Sequence, residues 1–231
     1  FYSVAFRVTK DVLDLPEEMH VTYTCELGPE AWRIYQSLKR DLVARVEAGE
    51  ITAANALVKL LRLQQITGGF LRTDEGHDIQ IDSTKMNLLR DVLEDIDPGE
   101  PIVVFCRFHR DLDAVNRIAD EAGRRALEIS GRTDDLKRWQ AGEAPVLAVQ
   151  IESGGVGVDL TRARYAIYYS LGFSLGSYEQ SLARIHRPGQ TRPVEYIHLL
   201  AKNTVDEKVM AALAAKADVV TAVLQQLKGD Q

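Results

Sequence analysis

Residues 20–27, HVTYTCEL, alternate Val21, Tyr23, Cys25 and Leu27 with polar residues, the period of a half-buried strand. At Gly28-Pro29 the period lengthens to that of a helix. Proline is preorganised for the first helical position, and Trp32, Tyr35, Leu38, Leu42 and Val46 share one face up to a stop at Gly49. A second amphipathic helix passes through Leu57, Leu60, Leu61 and Leu63 and ends at Gly68-Gly69. Two short alternating arms then flank Asp74-Glu75-Gly76-His77, which predicts a hairpin turn. Those four residues have the letters of the Asp-Glu-x-His box that holds Mg²⁺ in helicase motors. That box belongs at the end of a buried apolar strand, so the likeness is set aside.

From residue 83 the pattern becomes regular. Ser83 or Thr84 can cap a helix through Met86, Leu88, Leu89, Val92 and Leu93, which Asp97-Pro98-Gly99 breaks. The continuous run IVVFC (102–106) reads as a strand buried on both faces. A helix over 109–122, a strand ALEI (126–129), a turn SGRTDD and a helix with Leu136 and Trp139 follow. Next come PVLAVQ (145–150), the glycine-rich ESGGVGVDL (152–160), YAIYYS (165–170), a helix at 177–186 and VEYIHLL (194–200). Strands alternating with helices predict an α/β fold with a mostly parallel sheet, whose ligands bind beyond the carboxyl ends of the strands. The last predicted helix starts at TVDE, with Thr204 and Glu207 at capping-box spacing and Val205, Val209, Leu213, Val220 and Leu224 as its apolar face.

Composition narrows the function. The 231 residues are 45% apolar and 27% charged, with no apolar run long enough for a membrane span and no signal peptide. The first residue is Phe1, so the sequence reads as an excised piece of a longer protein. The expected setting is cytoplasmic or nucleoid-associated, intracellular and not secreted. Two cysteines and five scattered histidines offer neither a disulfide framework nor metal-ligand spacing. The net charge of −6 is unevenly spread: residues 1–100 hold 11 Lys+Arg against 18 Asp+Glu, and 101–200 hold 13 against 12. Twelve of those 13 are arginines, suited to bidentate phosphate contacts.

The candidate chemistry lies in two stretches. ESGGVGVDL follows an apolar strand and supplies Gly154, Gly155 and Gly157, which let a backbone approach an anion closely. It lacks the third glycine of the dinucleotide fingerprint. QSLARIHRPGQ (180–190) places Gln180, Arg184 and Arg187 at i, i+4 and i+7, one helix face with Leu182 and Ile185 turned toward the sheet. Those arginines are read as standing beside the glycine loop on the same sheet edge. No acid follows Glu179 until Glu195, so the arginines are read as awaiting an anionic ligand. The chain has no phosphate loop of its own. The simplest reading is that a partner lobe holds the nucleotide and the arginines reach it across a cleft.

In their order, IVVFCRF, EISGRTDD, VLAVQIESGGVGVDLTRARYAIYY and QSLARIHRPGQ…VEYIHLLAKNTVDEKV resemble the C-terminal RecA-like lobe of the Snf-type superfamily 2 ATPases over residues 15 to 215. The resemblance implies a three-layer lobe at 83–203. Residues 1–82 would form a strand, a helical insertion and a hairpin ahead of it, and 204–231 a helix packed on it. It implies ATP with Mg²⁺, bound mainly by an N-terminal RecA-like lobe of the same polypeptide, and double-stranded DNA as partner. Arg184 and Arg187 match the family's arginine fingers, with Gln180 heading their motif. Gly155, Gly157 and Asp159 fall in the nucleotide-coupling motif, and Arg107, Gly131 and Thr133 in loops that touch the DNA backbone. The chain departs from the family pattern at Gln150-Ile151, at Asp159 and across 170–178. A stand-alone DNA-binding or regulatory module and an RNA helicase lobe are the alternative readings.

Overall fold

A computed structural model describes residues 15–73, 75–153 and 158–229. Its main sheet has six strands in the order β1-β8-β7-β4-β6-β5, every neighbouring pair parallel. The strands are β1 (Glu18–Cys25), β4 (Ile102–Cys106), β5 (Ala126–Ile129), β6 (Val146–Gln150), β7 (Tyr165–Tyr168) and β8 (Val194–Ala201). A separate antiparallel hairpin joins β2 (Phe70–Arg72) to β3 (Asp78–Gln80) across the turn expected there, with Gly76 at φ 85°. Asp74 lies outside the described residues.

The central strands β4 and β7, and β6 up to its last residue Gln150, are apolar because helices cover both faces of the sheet. Val103, Phe105, Leu147, Val149, Tyr168 and Tyr196 point into one core. That core is closed by α1 (Pro29–Glu47), α2 (Ala53–Thr67), α5 (Leu136–Gln140), α6 (Leu175–Ile185), α7 (Val205–Ala214) and α8 (Val219–Gly229). Ile102, Val104, Cys106, Ala148, Ile167 and Leu199 point the other way, under α3 (Thr84–Asp95) and α4 (His109–Glu121). The two layers share only the sheet.

Two parts differ from the sequence reading. Residues 1–82 were set apart from the lobe, yet β1 pairs with β8 as the edge of the main sheet, and α1 and α2 pack into the same core as α7 and α8. The Tyr35 hydroxyl accepts from the Val205 amide at 2.7 Å, joining the first helix to the seventh. The expected final helix is two helices, broken where Lys216 takes φ 51°. The break shifts the buried stripe of α8 to Val219, Val223 and Leu227 in place of Val220 and Leu224. Thr204 still caps α7, accepting from the Asp206 amide at 3.2 Å, while Glu207 accepts from the Asn203 amide at 2.9 Å.

Candidate active site

The arginine stretch is built on α6. Ser174 starts that helix, its hydroxyl accepting from the Ser177 amide at 3.2 Å. The helix ends at Ile185, with His186 leaving it at φ −92°, ψ 83°. Pro188 disfavours helical backbone at Arg187, and Gly189 turns the chain at φ 105°. Gln180 and Arg184 therefore share the helix, but Arg187 lies beyond it. Gln180 is exposed, Arg187 partly exposed and Arg184 buried, at 8% exposure. Burial pulls the Arg184 guanidinium below its usual pKa, so an anion brought to it would offset a desolvation cost already present.

Because β7 and β8 are parallel, α6 must run back along the sheet, which puts Arg184 near the amino ends of those strands. There Glu195 N donates to Arg164 O at 2.8 Å and Val194 N to Glu17 O at 2.9 Å. The glycine loop starts at the opposite edge, at the carboxyl end of β6. The arginines thus do not stand beside its start. Its far end reaches them instead: Leu160 N donates to Arg184 O at 3.0 Å. Gly155 and Gly157 lie outside the described residues. Asp159 is exposed and accepts from Thr161 N at 2.9 Å and Thr161 Oγ1 at 2.7 Å. Those bonds, and the nearby Arg187 charge, lower its pKa.

Gln190 locks this arrangement. Its amide nitrogen donates to Ala163 O at 2.8 Å and Thr161 O at 3.1 Å. Its oxygen accepts from the amides of Thr191 at 3.0 Å and Arg192 at 3.1 Å. The side chain is 6% exposed, so each bond replaces water that cannot enter.

The carboxyl edge carries the other candidates. Arg107 N donates to Ser170 Oγ at 2.8 Å, and its guanidinium pairs with Glu152 while lying 5.8 Å from the Phe108 ring and 5.6 Å from the Phe173 ring. Gly172 makes room for it, since a Cβ there would sit 3.0 Å from Arg107 Nη1. Gly131 and Thr133 are exposed on one turn, closed by Ser130 N donating to Thr133 O at 2.9 Å. Gln150 joins three loops at once. It donates to Arg107 O at 3.4 Å and accepts from Gly131 N at 3.4 Å and Ser153 Oγ at 2.8 Å. Arg107 and Gly131 are thereby brought together at this edge, on one linker, while Arg184 and Arg187 stand apart near the other.

Two buried polar groups support these loops, and sequence reasoning missed both. Asp111, 1% exposed, accepts from Ser170 Oγ at 2.5 Å and Phe108 N at 3.1 Å. Burial pushes its pKa up to about 6. Lys85, 2% exposed, pairs with Asp206, which also accepts from Thr67 Oγ1 at 2.8 Å and Ala201 N at 3.1 Å. The bonds that bury them, Asp111 to Ser170 and Lys85 to Asp206, join residues far apart in the chain, so local spacing does not announce them. Among the described residues, no group of three or more His, Cys, Asp or Glu could hold a metal ion, and no helix is long and apolar enough to cross a membrane.

Residues 84–189 match the helicase conserved C-terminal domain. Protein p41 of the Acyrthosiphon pisum secondary endosymbiont phage 1 is 26% identical over 94% of this chain and 48% of its own length. An ATP-dependent helicase of Mycoplasma genitalium is 24% identical over 93% of the chain and 22% of its own length. The chain thus spans less than half the length of these relatives. The C-terminal part of the Fun30 ATPase domain superposes with a TM-score of 0.72 at 17% identity, covering 94% of this chain and 98% of that one. The Sulfolobus solfataricus SWI2/SNF2 ATPase core in complex with double-stranded DNA superposes with a TM-score of 0.71 at 22% identity, over 93% of this chain and 50% of that one. These solved structures share the RecA-like α/β fold of the present sheet and its flanking helices. Domain match and fold point the same way: residues 84–189 match the helicase conserved C-terminal domain, on a RecA-like α/β fold shared with the C-terminal part of the Fun30 ATPase domain and with the SWI2/SNF2 core.

Proposed function

We propose that this lobe supplies Arg184 and Arg187 to the phosphates of an ATP held mainly by an N-terminal RecA-like lobe of the same polypeptide. The observation that carries the reading is the end of α6, where Gln190 and Leu160 fix a buried arginine and a partly exposed one beside Asp159. Two cations held there cost no reorganisation when charge develops on a transferring phosphoryl group. Arginine fingers are worth about 10³–10⁵ in rate, or about 4–7 kcal/mol. Mg²⁺ would neutralise phosphate charge, and in this reading it is bound with the ATP on the other lobe. Asp159 stands near Arg187 and orders the loop that meets it. Gln180, exposed one turn before Arg184, is in reach of the same cleft.

The second half of the proposal is a grip on double-stranded DNA through Arg107, Gly131 and Thr133. Its support is that Gln150 ties a partly buried Arg107 to Gly131, whose exposed turn also carries Thr133, and that a SWI2/SNF2 core with this fold was solved on duplex DNA. Backbone phosphates carry no sequence, so such a grip steps along a duplex with little base readout. ATP closes the lobes, hydrolysis releases the arginine bridge, and alternate gripping becomes movement along the duplex. The test is Arg187→Ala in the two-lobed protein. DNA-stimulated hydrolysis should fall by about 10³-fold or more, and a rate near wild type sinks the finger assignment.

A further inference from the structure

His186 stands between the two arginines in sequence, yet its ring contacts the residues that lead into β1. Its Nε2 lies 2.7 Å from Pro16 O and its Nδ1 2.9 Å from a Glu18 carboxylate oxygen, with the residue 7% exposed. Both of those partner atoms only accept hydrogen bonds. A neutral imidazole has one N–H, so it satisfies one partner and turns a lone pair toward the other; an imidazolium donates to both. Backbone bonds pin the two segments on either side: His186 N to Leu182 O at 3.1 Å, Gln190 N to Arg187 O at 3.0 Å, and Val194 N to Glu17 O at 2.9 Å. One ring therefore joins the chain leading into the sheet to the segment that carries the arginines.

We infer that His186 is a positioning residue whose ring latches Pro16–Glu18 to the arginine segment and so helps to place Arg184 and Arg187. The inference rests on the motor reading above, in which the chain ahead of Pro16 leads to the nucleotide-holding lobe. The ionisable groups around the latch are Glu18 and His20 on β1, Tyr196 on β8, Tyr178 on α6, and Arg184 and Arg187 on either side. Burial keeps both tyrosines protonated, so the Glu18 carboxyl is the acidic partner of the ring.

Three variants test it. His186→Arg can donate to both acceptors at every pH, His186→Phe donates to neither, and Glu18→Gln removes the anion without changing the bulk. In the 231-residue chain, amide exchange at His186, Gln190 and Val194, compared at one pH, should quicken about tenfold or more when the ring or its carboxyl partner is removed, the worth of one charge-assisted bond. His186→Phe and Glu18→Gln should therefore exchange faster than wild type, and His186→Arg at about the wild-type rate. In the two-lobed protein, His186→Phe should lower kcat for DNA-stimulated hydrolysis by about tenfold with duplex affinity unchanged, and His186→Arg should restore it. Exchange in His186→Phe or Glu18→Gln that matches wild type overturns the latch. Exchange as expected with kcat unmoved overturns its positioning role. If Arg187→Ala also leaves hydrolysis intact, the motor reading has failed instead.

Discussion

Asp111 gives the sharpest stability prediction. Its carboxyl is 1% exposed, and only one of its oxygens is hydrogen-bonded: Oδ2 accepts from Ser170 and Phe108, while Oδ1 is buried without a partner among the described residues. Gly68 packs against that Oδ1, which a Cβ there would approach to 2.9 Å. Burial raises the pKa from 3.8 to about 6, against the lowering effect of its bonds and of Lys85. A raised carboxyl pKa means the folded state holds the proton more tightly than the unfolded one. Stability from this group is therefore greatest below pH 4, is lost as pH rises toward 6, and is flat above that. A shift of roughly two units corresponds to about 3 kcal/mol. Asp111→Asn cannot ionise, and its amide leaves two N–H donors unpaired, a cost that does not vary with pH. The gap between variant and wild type should therefore move by about 3 kcal/mol in the variant's favour from pH 4 to pH 8. Urea titrations at half-unit pH steps measure it. With a slope of about 3 kcal/mol per molar, the relative midpoint should move by about 1 M. Parallel midpoints across that range would show that Asp111 is not held as described.

Other substitutions test the framework around the site. Lys85→Met leaves the Asp206 carboxylate buried without its cation, and should destabilise the chain by about 3–5 kcal/mol. Replacing both residues with apolar ones should recover most of that loss, which a double-mutant cycle in urea reads directly. Gln190→Ala removes the bonds that fasten the arginine segment to residues 161–163 and should cost about 1–3 kcal/mol. In the two-lobed protein it should also lower hydrolysis without changing duplex affinity; an unchanged rate would show that the arginines are placed without it.

Much of the architecture was legible because local patterns carry it. The run IVVFC could be read as a strand buried on both faces, since a sheet covered twice favours apolar residues at successive positions, and Gly28-Pro29 and Gly68-Gly69 bounded the helices between them. The DEGH turn was likewise separable from a metal box by its polar arms. Patterns failed where a chain break or a distant partner decided the outcome. One residue of left-handed backbone at Lys216 turned a single amphipathic helix into two with different faces. The edge position of β1 was hidden because its pairing partner, β8, lies more than 160 residues away.

The same division holds at the site. Residue identity alone concentrated arginines at 184 and 187, placed glycines after a buried strand, and denied the chain a phosphate loop of its own. Sequence spacing could not fix where those groups stand, because a helix between parallel strands carries its end to the opposite edge of the sheet. The tertiary structure therefore decided that the arginine segment meets the far end of the glycine loop rather than its start. It also decided which side chains hold that meeting: Gln190 through carbonyls of residues 161 and 163, and His186 through Pro16 and Glu18. These bonds link residues that only folding brings near one another, and burial makes each of them costly to lose.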